Sequence, residues 1–162
     1  RIPGSARLGR EGRGAEVFEC SMEWERGSIL AGCLGTMRRQ IEECVAYARQ
    51  RKQFGKPIAK FQSVANRIVD MKVRYDTARF LVYRIGWLKG QDKDATAEAA
   101  MAKLYTSESM VASSLDAIQV HGGYGFMTEF PFERELRDSV GAQLYSGTSE
   151  IQRNLIASGL GL

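Results

Sequence analysis

The chain has 162 residues, 44% hydrophobic and 26% charged, which is enough to bury a core and ordinary for a globular fold. Its net charge of +4 comes from 23 basic and 19 acidic residues, interspersed over most of the length, so no polyelectrolyte tail is present. No run reaches the ~18 apolar residues of a membrane span, and a single histidine leaves a His-rich metal site or a Ser-His triad without support.

Residues 1–14 are rich in Gly and Arg and read as an irregular lead-in, with residues 15–162 as the folded domain. The loop-like start at Arg1, without methionine, reads as that of a processed or excised piece. A short helix is expected from about Ala15 to Met22. The clearest pattern follows: Leu30, Leu34, Met37, Ile41, Cys44 and Ala48 step by four and three, the mark of a helix with one buried stripe. Gly55 and Pro57 stop it. Val64, Ile68, Met71, Tyr75, Ala78, Val82 and Ile85 make a second, longer stripe that closes at Gly90.

A third helix is expected to start near Asp94 as N-cap, with the stripe Ala97, Met101, Leu104, Glu108, Val111, Leu115 and Ile118. Glu108 interrupts that apolar face and is expected to pair with an arginine in the interior. The frequent Ala and Ser here let neighbouring helices approach closely. A glycine-rich turn runs from Gln119 to Phe126. Gly147-Thr148-Ser149 then leads into a last helix, with Ser149 and Gln152 spaced as a capping box. No strand-like alternation competes and no repeat is visible. The fold class is all-α, an antiparallel four-helix bundle.

Cys20, Cys33 and Cys44 lack metal-ligand spacing and sit among apolar residues, so they read as reduced, mostly buried thiols. The one dense basic cluster is Arg49, Arg51, Lys52, Lys56 and Lys60. Composition leaves two readings open for it, a solvated helix end or a phosphate-binding patch. A bundle by itself names no chemistry.

Four segments narrow the choice. They are Trp24-Glu25-Arg26 with Ala31-Gly32; Arg51-Lys52-Gln53-Phe54-Gly55 with Phe61-Gln62; Gln119 to Gly125; and Arg137-Asp138 with Tyr145 to Arg153. Each is weak alone, since Gly-Gly-x-Gly fits any tight turn. In this order and spacing they resemble the C-terminal domain of the acyl-CoA dehydrogenases over almost the whole chain. The resemblance implies a three-domain, FAD-dependent enzyme forming dimers or tetramers through this bundle. It implies α,β-dehydrogenation of an acyl thioester, borne by CoA or an acyl carrier protein, with electrons passed to an electron-transfer flavoprotein or another acceptor. Met22–Gly27 and Arg38–Cys44 are similar to relatives from bacterial secondary metabolism. A flavin oxidase on the same fold, or a non-enzymatic assembly module, is the alternative. Neither nucleic acid nor membrane is an expected partner, and the expected compartment is the cytoplasm, or the mitochondrial matrix in a eukaryote.

The resemblance also assigns roles. In much of the family the catalytic glutamate stands after the tyrosine of the last motif, where this chain has Ser146. A minority, resembling isovaleryl-CoA and long-chain enzymes, carries it on the first long helix before an arginine, the place of Glu25 and Arg26. Glu25 is thus the expected base; its competing reading is a first-turn acid favoured by the helix dipole. Arg26, Tyr145, Ser146 and Gly147 are expected at the substrate. Arg51 corresponds to the arginine on the FAD pyrophosphate, with Phe54 and Gln62 beside it, and Gln119, Gly122 and Gly123 to the turn around the adenosine. Thr148, Ser149 and Glu150 correspond to the flavin-contacting stretch at a helix N-terminus. His121 is expected to be a bystander. A fragment lacking the β domain is expected to fold without catalysing.

Overall fold

A computed structural model describes residues 2–162. Helix α1 spans Gly14–Ser28 and α2 spans Ala31–Gln50; α3 spans Gln62–Lys89 and α4 spans Thr96–His121. Three shorter helices follow, α5 (Gly123–Phe126), α6 (Phe132–Ala142) and α7 (Ser149–Gly159). Among the described residues no helix is long and apolar enough to cross a membrane.

Helix α1 is longer than the expected Ala15–Met22 and carries Glu25 in its last turn. No proline interrupts it, and the Ile29 N–H still donates to the Glu25 carbonyl at 2.8 Å before the chain turns at Leu30 into α2. The junction is anchored by Leu30, only 2% exposed. Gly27 lets α1 lie close to α3, since a Cβ there would sit 3.0 Å from Ile85 Cγ2.

The stripes expected on α2 and α3 are the ones the fold buries. Leu30, Leu34 and Met37 pack with Ala78 and Met110, while Cys44 packs with Met71, Ala117 and Val120. The order of these contacts makes α3 antiparallel to both α2 and α4. Between α2 and α3 lies a two-residue antiparallel ladder, Lys52↔Pro57 and Gln53↔Lys56, where no strand was expected from the sequence. It is too short for alternation to reveal it. Its turn is set by Phe54 (φ 51°) and Gly55 (φ 79°), both left-handed, which closes a tight hairpin matched to strand twist.

The expectation for α4 is corrected by rotation. Met101 and Leu115, in the predicted stripe, are 37% and 52% exposed. The buried positions are Ala99, Ala100, Ala102, Thr106, Ser107, Ser113, Ser114 and Ala117 among others. Helix α4 runs through the middle of the molecule, with α1, α2, α3, α6 and α7 all packed on it. Small side chains face inward because five helices must approach one backbone, and bulky ones point to the gaps. The expected N-cap is corrected by one residue: Ala95 holds that position without a side-chain bond, and Asp94 before it accepts from the Thr96 N–H at 3.2 Å and the Thr96 hydroxyl at 2.8 Å. Those bonds, the hydroxyl first, hold its carboxyl below the usual range.

Polar groups stitch the layers around α4. Gln40 donates to Ser114 Oγ at 3.0 Å and to Glu135 at 2.8 Å, and Arg39 also pairs with Glu135. Arg67 and Arg74 each donate to Asp116 at 2.7 Å. Glu108 does pair with an arginine, Arg153 at 2.7 Å, but at the surface rather than in the interior. The capping box is shifted by one residue: Thr148 is the N-cap and accepts from the Ile151 N–H at 3.4 Å, while Ser149 turns inward.

Ala100→Leu is expected to destabilise the protein by roughly 1–3 kcal/mol through overpacking against α4's neighbours, whereas Met101→Leu stays within ~0.5 kcal/mol. Urea denaturation of the two variants reads the difference directly.

Candidate functional site

Apart from Phe54 and Gln62, the residues singled out above fall at two places along α4. The first lies near its N-terminal half, where α1 ends and α7 begins. There the Ser146 hydroxyl donates to Glu25 Oε1, joining two residues far apart in sequence. Ser146 and Gly147 are both left-handed (φ 54° and 91°), so the backbone reverses sharply before α7. The Ser146 carbonyl accepts from Arg26 Nε at 3.5 Å and from Gln152 Nε2 at 3.3 Å. Gln152 also donates to the Gly147 carbonyl at 2.9 Å. A Cβ on residue 147 would lie 2.7 Å from that amide nitrogen, and the φ of 91° is one that glycine adopts without strain.

Glu25 is half-buried in the last turn of α1, not the first. The helix dipole disfavours an anion at that end, so the reading of Glu25 as an N-terminal helix acid is corrected. Glu23, two residues earlier, is drawn away into an ion pair with Lys89 of α3, whose ammonium lies 5.1 Å above the Trp24 ring. Tyr145 stands beside the buried Cys33 thiol; burial pushes both groups up from their ordinary values. Thr148 and the fully exposed Glu150 stand at the free N-terminus of α7, where the Thr148 hydroxyl holds the Glu150 carboxyl below the usual range.

The second place is the C-terminal end of α4, where an open groove of about 720 Å³ lies against α2 and α5. Arg51, Gln119, Gly122 and Gly123 all line it. The Arg51 side chain is exposed and has no ion-pair partner among the described residues. Gly122 has φ 60° and ψ −133°, a conformation open only to glycine in practice. A Cβ on Gly122 or Gly123 would meet nothing within 4 Å, so both face open space.

Phe54 and Gln62 are not brought to the groove. Phe54 is 91% exposed at the hairpin tip, stacked edge-on at 6.1 Å from Phe61, which also rules out a core role. Gln62 is the exposed first residue of α3. Sequence reasoning missed Tyr47, Ile58, Tyr124 and Phe130, which supply the groove's apolar wall. Tyr47 carried a usable signal, one helical turn before Arg51 and so on its face.

His121 lines the groove from below and is 5% exposed. Its ring lies between Tyr47 at 4.4 Å and Phe132 at 4.1 Å, and Nδ1 donates to the Ala117 carbonyl at 2.8 Å. Burial pulls its pKa down, so the imidazole is a neutral packing group.

The family model for the acyl-CoA dehydrogenase C-terminal domain matches residues 12–161. An L-prolyl-[peptidyl-carrier protein] dehydrogenase from Pseudomonas fluorescens is 45% identical over 162 residues, covering 100% of this chain and 43% of that protein. The solved prolyl acyl carrier protein oxidase AnaB is 52% identical with a TM-score of 0.98, over 99% of this chain and 43% of that one. PigA, solved with FAD and proline, is 45% identical with a TM-score of 0.97, over 99% of this chain and 42% of that one. The chain therefore spans less than half the length of these relatives.

Beneath the groove, Cys44 is fully buried and burial pushes its thiol up to about 12, whereas Cys20 is exposed on α1. The thiolate is the reactive form, so iodoacetamide at about pH 8 is expected to alkylate Cys20 and leave Cys44 intact. Peptide mass spectrometry before and after unfolding distinguishes the two.

Proposed function

The chain belongs to the acyl-CoA dehydrogenase family, and on that footing we propose that it is the C-terminal helical domain of a flavoenzyme that oxidises an acyl thioester between its α and β carbons. The observation that carries the reading is the hydrogen bond from Ser146 to Glu25. Where much of the family places its base, this chain has a hydroxyl, and the fold delivers a carboxylate to that same spot from α1.

In this reading the Glu25 carboxylate takes the α-proton of the thioester, breaking the Cα–H bond and leaving its electron pair to form the Cα=Cβ bond. Ser146 fixes the carboxylate by its hydroxyl hydrogen bond, while Arg26 and Gln152 hold the Ser146 backbone from the other side. FAD supplies the two-electron acceptor for the departing β-hydride. The residues present suit that cofactor. Arg51 offers a free guanidinium to a diphosphate, Gly122 and Gly123 open the groove wall, and Thr148, Ser149 and Glu150 present a helix N-terminus. Phe54 and Gln62 keep their assignment only if another part of the assembly brings cofactor to the hairpin.

From Lys103 to Gln119 the two places are about 24 Å apart along α4, at 1.5 Å per residue. That separation favours a cofactor shared between copies, hence a homo-oligomer, dimer or tetramer. A stripe on α3, Val69, Val73, Phe80, Tyr83 and Trp87, each more than half exposed, supports an apolar interface. The names of the relatives described above favour a prolyl thioester on a carrier protein over an acyl-CoA. The name of AnaB favours a second reading, an oxidase that passes electrons to oxygen rather than to an electron-transfer flavoprotein. The cytoplasm is the proposed compartment.

In the full-length enzyme, Glu25→Gln is expected to retain FAD but slow anaerobic flavin bleaching by candidate thioesters by about 10²-fold or more. Unchanged bleaching refutes Glu25 as base. Arg51→Met is expected to weaken FAD retention by about tenfold or more, read by flavin absorbance after dialysis. Admitting air to the bleached wild-type enzyme separates oxidase from dehydrogenase, since only the oxidase regains its yellow colour rapidly with release of peroxide.

A further inference from the structure

Helix α4 ends at His121, and a continued helix would give the His121 carbonyl the amide of residue 125. The Gly125 N–H donates instead to the Gly122 carbonyl at 2.9 Å, because the chain folds away into the Gly122-Gly123 turn. It is the Tyr47 hydroxyl of α2 that comes to the His121 carbonyl, donating at 3.4 Å. The end of one helix is thus capped by a side chain of its neighbour.

The ring of Tyr47 adds a second hold. It lies 4.4 Å from the His121 imidazole, which is itself 4.1 Å from the Phe132 ring of α6. Beyond the turn, Tyr124 and Tyr47 meet edge to face at 6.4 Å. Tyr47 therefore touches the residue before Gly122-Gly123 and the residue after it. The glycines make such bracketing useful. Gly122 sits at φ 60° and ψ −133°, and a Cβ on either glycine would meet nothing within 4 Å. Neither has a side chain to anchor it, and glycine has the most conformational freedom to lose.

The same tyrosine reaches the opposite wall of the groove. Its carbonyl accepts from the Arg51 N–H at 2.8 Å, the bond that closes α2, before the backbone extends at Arg51 (ψ 127°). Tyr47, Arg51, Gly122 and Gly123 line one groove. We propose that Tyr47 is a positioning residue for the Gly122-Gly123 turn: its hydroxyl caps α4 and its ring braces both sides of the turn, holding it at a fixed place across the groove from Arg51. The consequence for cofactor binding rests on the reading of this groove as the FAD site, whereas the consequence for the turn does not.

The test uses the full-length enzyme with Tyr47→Phe, which removes the hydroxyl, and Tyr47→Leu, which removes the ring as well. In the flavin-free protein, hydrogen exchange of the peptide covering 119–126 should rise about threefold or more in Tyr47→Phe, with α3 peptides unchanged. In Tyr47→Leu it should rise about tenfold or more. The Kd for FAD, read by quenching of flavin fluorescence, should rise by similar factors. A double-variant cycle on that Kd separates the routes. In Gly122→Ala, where the turn is already strained out of shape, adding Tyr47→Phe should change the Kd less than about twofold; in Arg51→Met its effect should persist in full. Unchanged exchange at 119–126 overturns the proposal. So does an effect on FAD that persists undiminished in Gly122→Ala or vanishes in Arg51→Met. Raised exchange with FAD affinity unchanged keeps the hold on the turn and sinks its link to the cofactor. If Arg51→Met also leaves FAD affinity unchanged, the groove is not the FAD site, and the exchange result still decides the role of Tyr47 at the turn. Should Tyr47→Leu fail to fold, Tyr47→Phe decides alone, since it keeps the ring.

Discussion

Everything in this fold depends on the close approach of five helices to α4. An α-helix surrounded on all sides can be neither bulky nor conventionally amphipathic, because each neighbour sits at the distance its contact side chains permit. Ala99, Ala100, Ala102, Ser107, Ser113, Ser114 and Ala117 keep those distances short. Such small groups contribute little apolar area, so the larger hydrophobic burial comes from the partners, notably Leu30, Met37, Met71 and Phe132. The serines and threonine bring polar atoms into the interior, and the Gln40–Ser114–Glu135 and Arg67–Asp116–Arg74 contacts meet part of that demand. Burying such groups unpaired costs roughly 1–3 kcal/mol each, which makes these networks as necessary as the packing.

A rigid central helix also fixes where chemistry can occur. Its N-terminal half receives the end of α1 and the start of α7, and so gathers Glu25, Arg26, Ser146 and the N-terminus of α7. Its C-terminal end meets α2 and α5, and there Arg51 and the Gly122-Gly123 turn open the groove. The two places are joined by a stiff rod and cannot move together within one chain. In the proposed function this separation links the oligomeric state to the cofactor.

The α2 and α3 stripes were legible because each of these helices is covered on one face and wet on the other, the condition under which a 3.6-residue period appears. The stripe read on α4 failed for the opposite reason. With burial nearly all round, the bulky residues Met101 and Leu115 report the gaps between neighbours and not the core. The hairpin at Lys52–Pro57 was hidden by its length, and the shifted cap at Thr148 by the presence of a second hydroxyl, Ser149, one position on. The full burial of Lys103 gave no sequence signal, since a lysine among helix formers reads as a solvated residue.

The sequence by itself determined the family, the helical class and the identities of Glu25, Ser146 and Arg51 as residues to watch, because local period and motif spacing are properties of the chain. Only the tertiary structure decided that Glu25 ends a helix, that Ser146 donates to it, that Phe54 stands clear of the groove, and that Lys103 is sealed inside. The meeting of Ser146 with Glu25, for one, spans a sequence separation of 121. Spacing along a chain does not encode such meetings; the packing around α4 creates them.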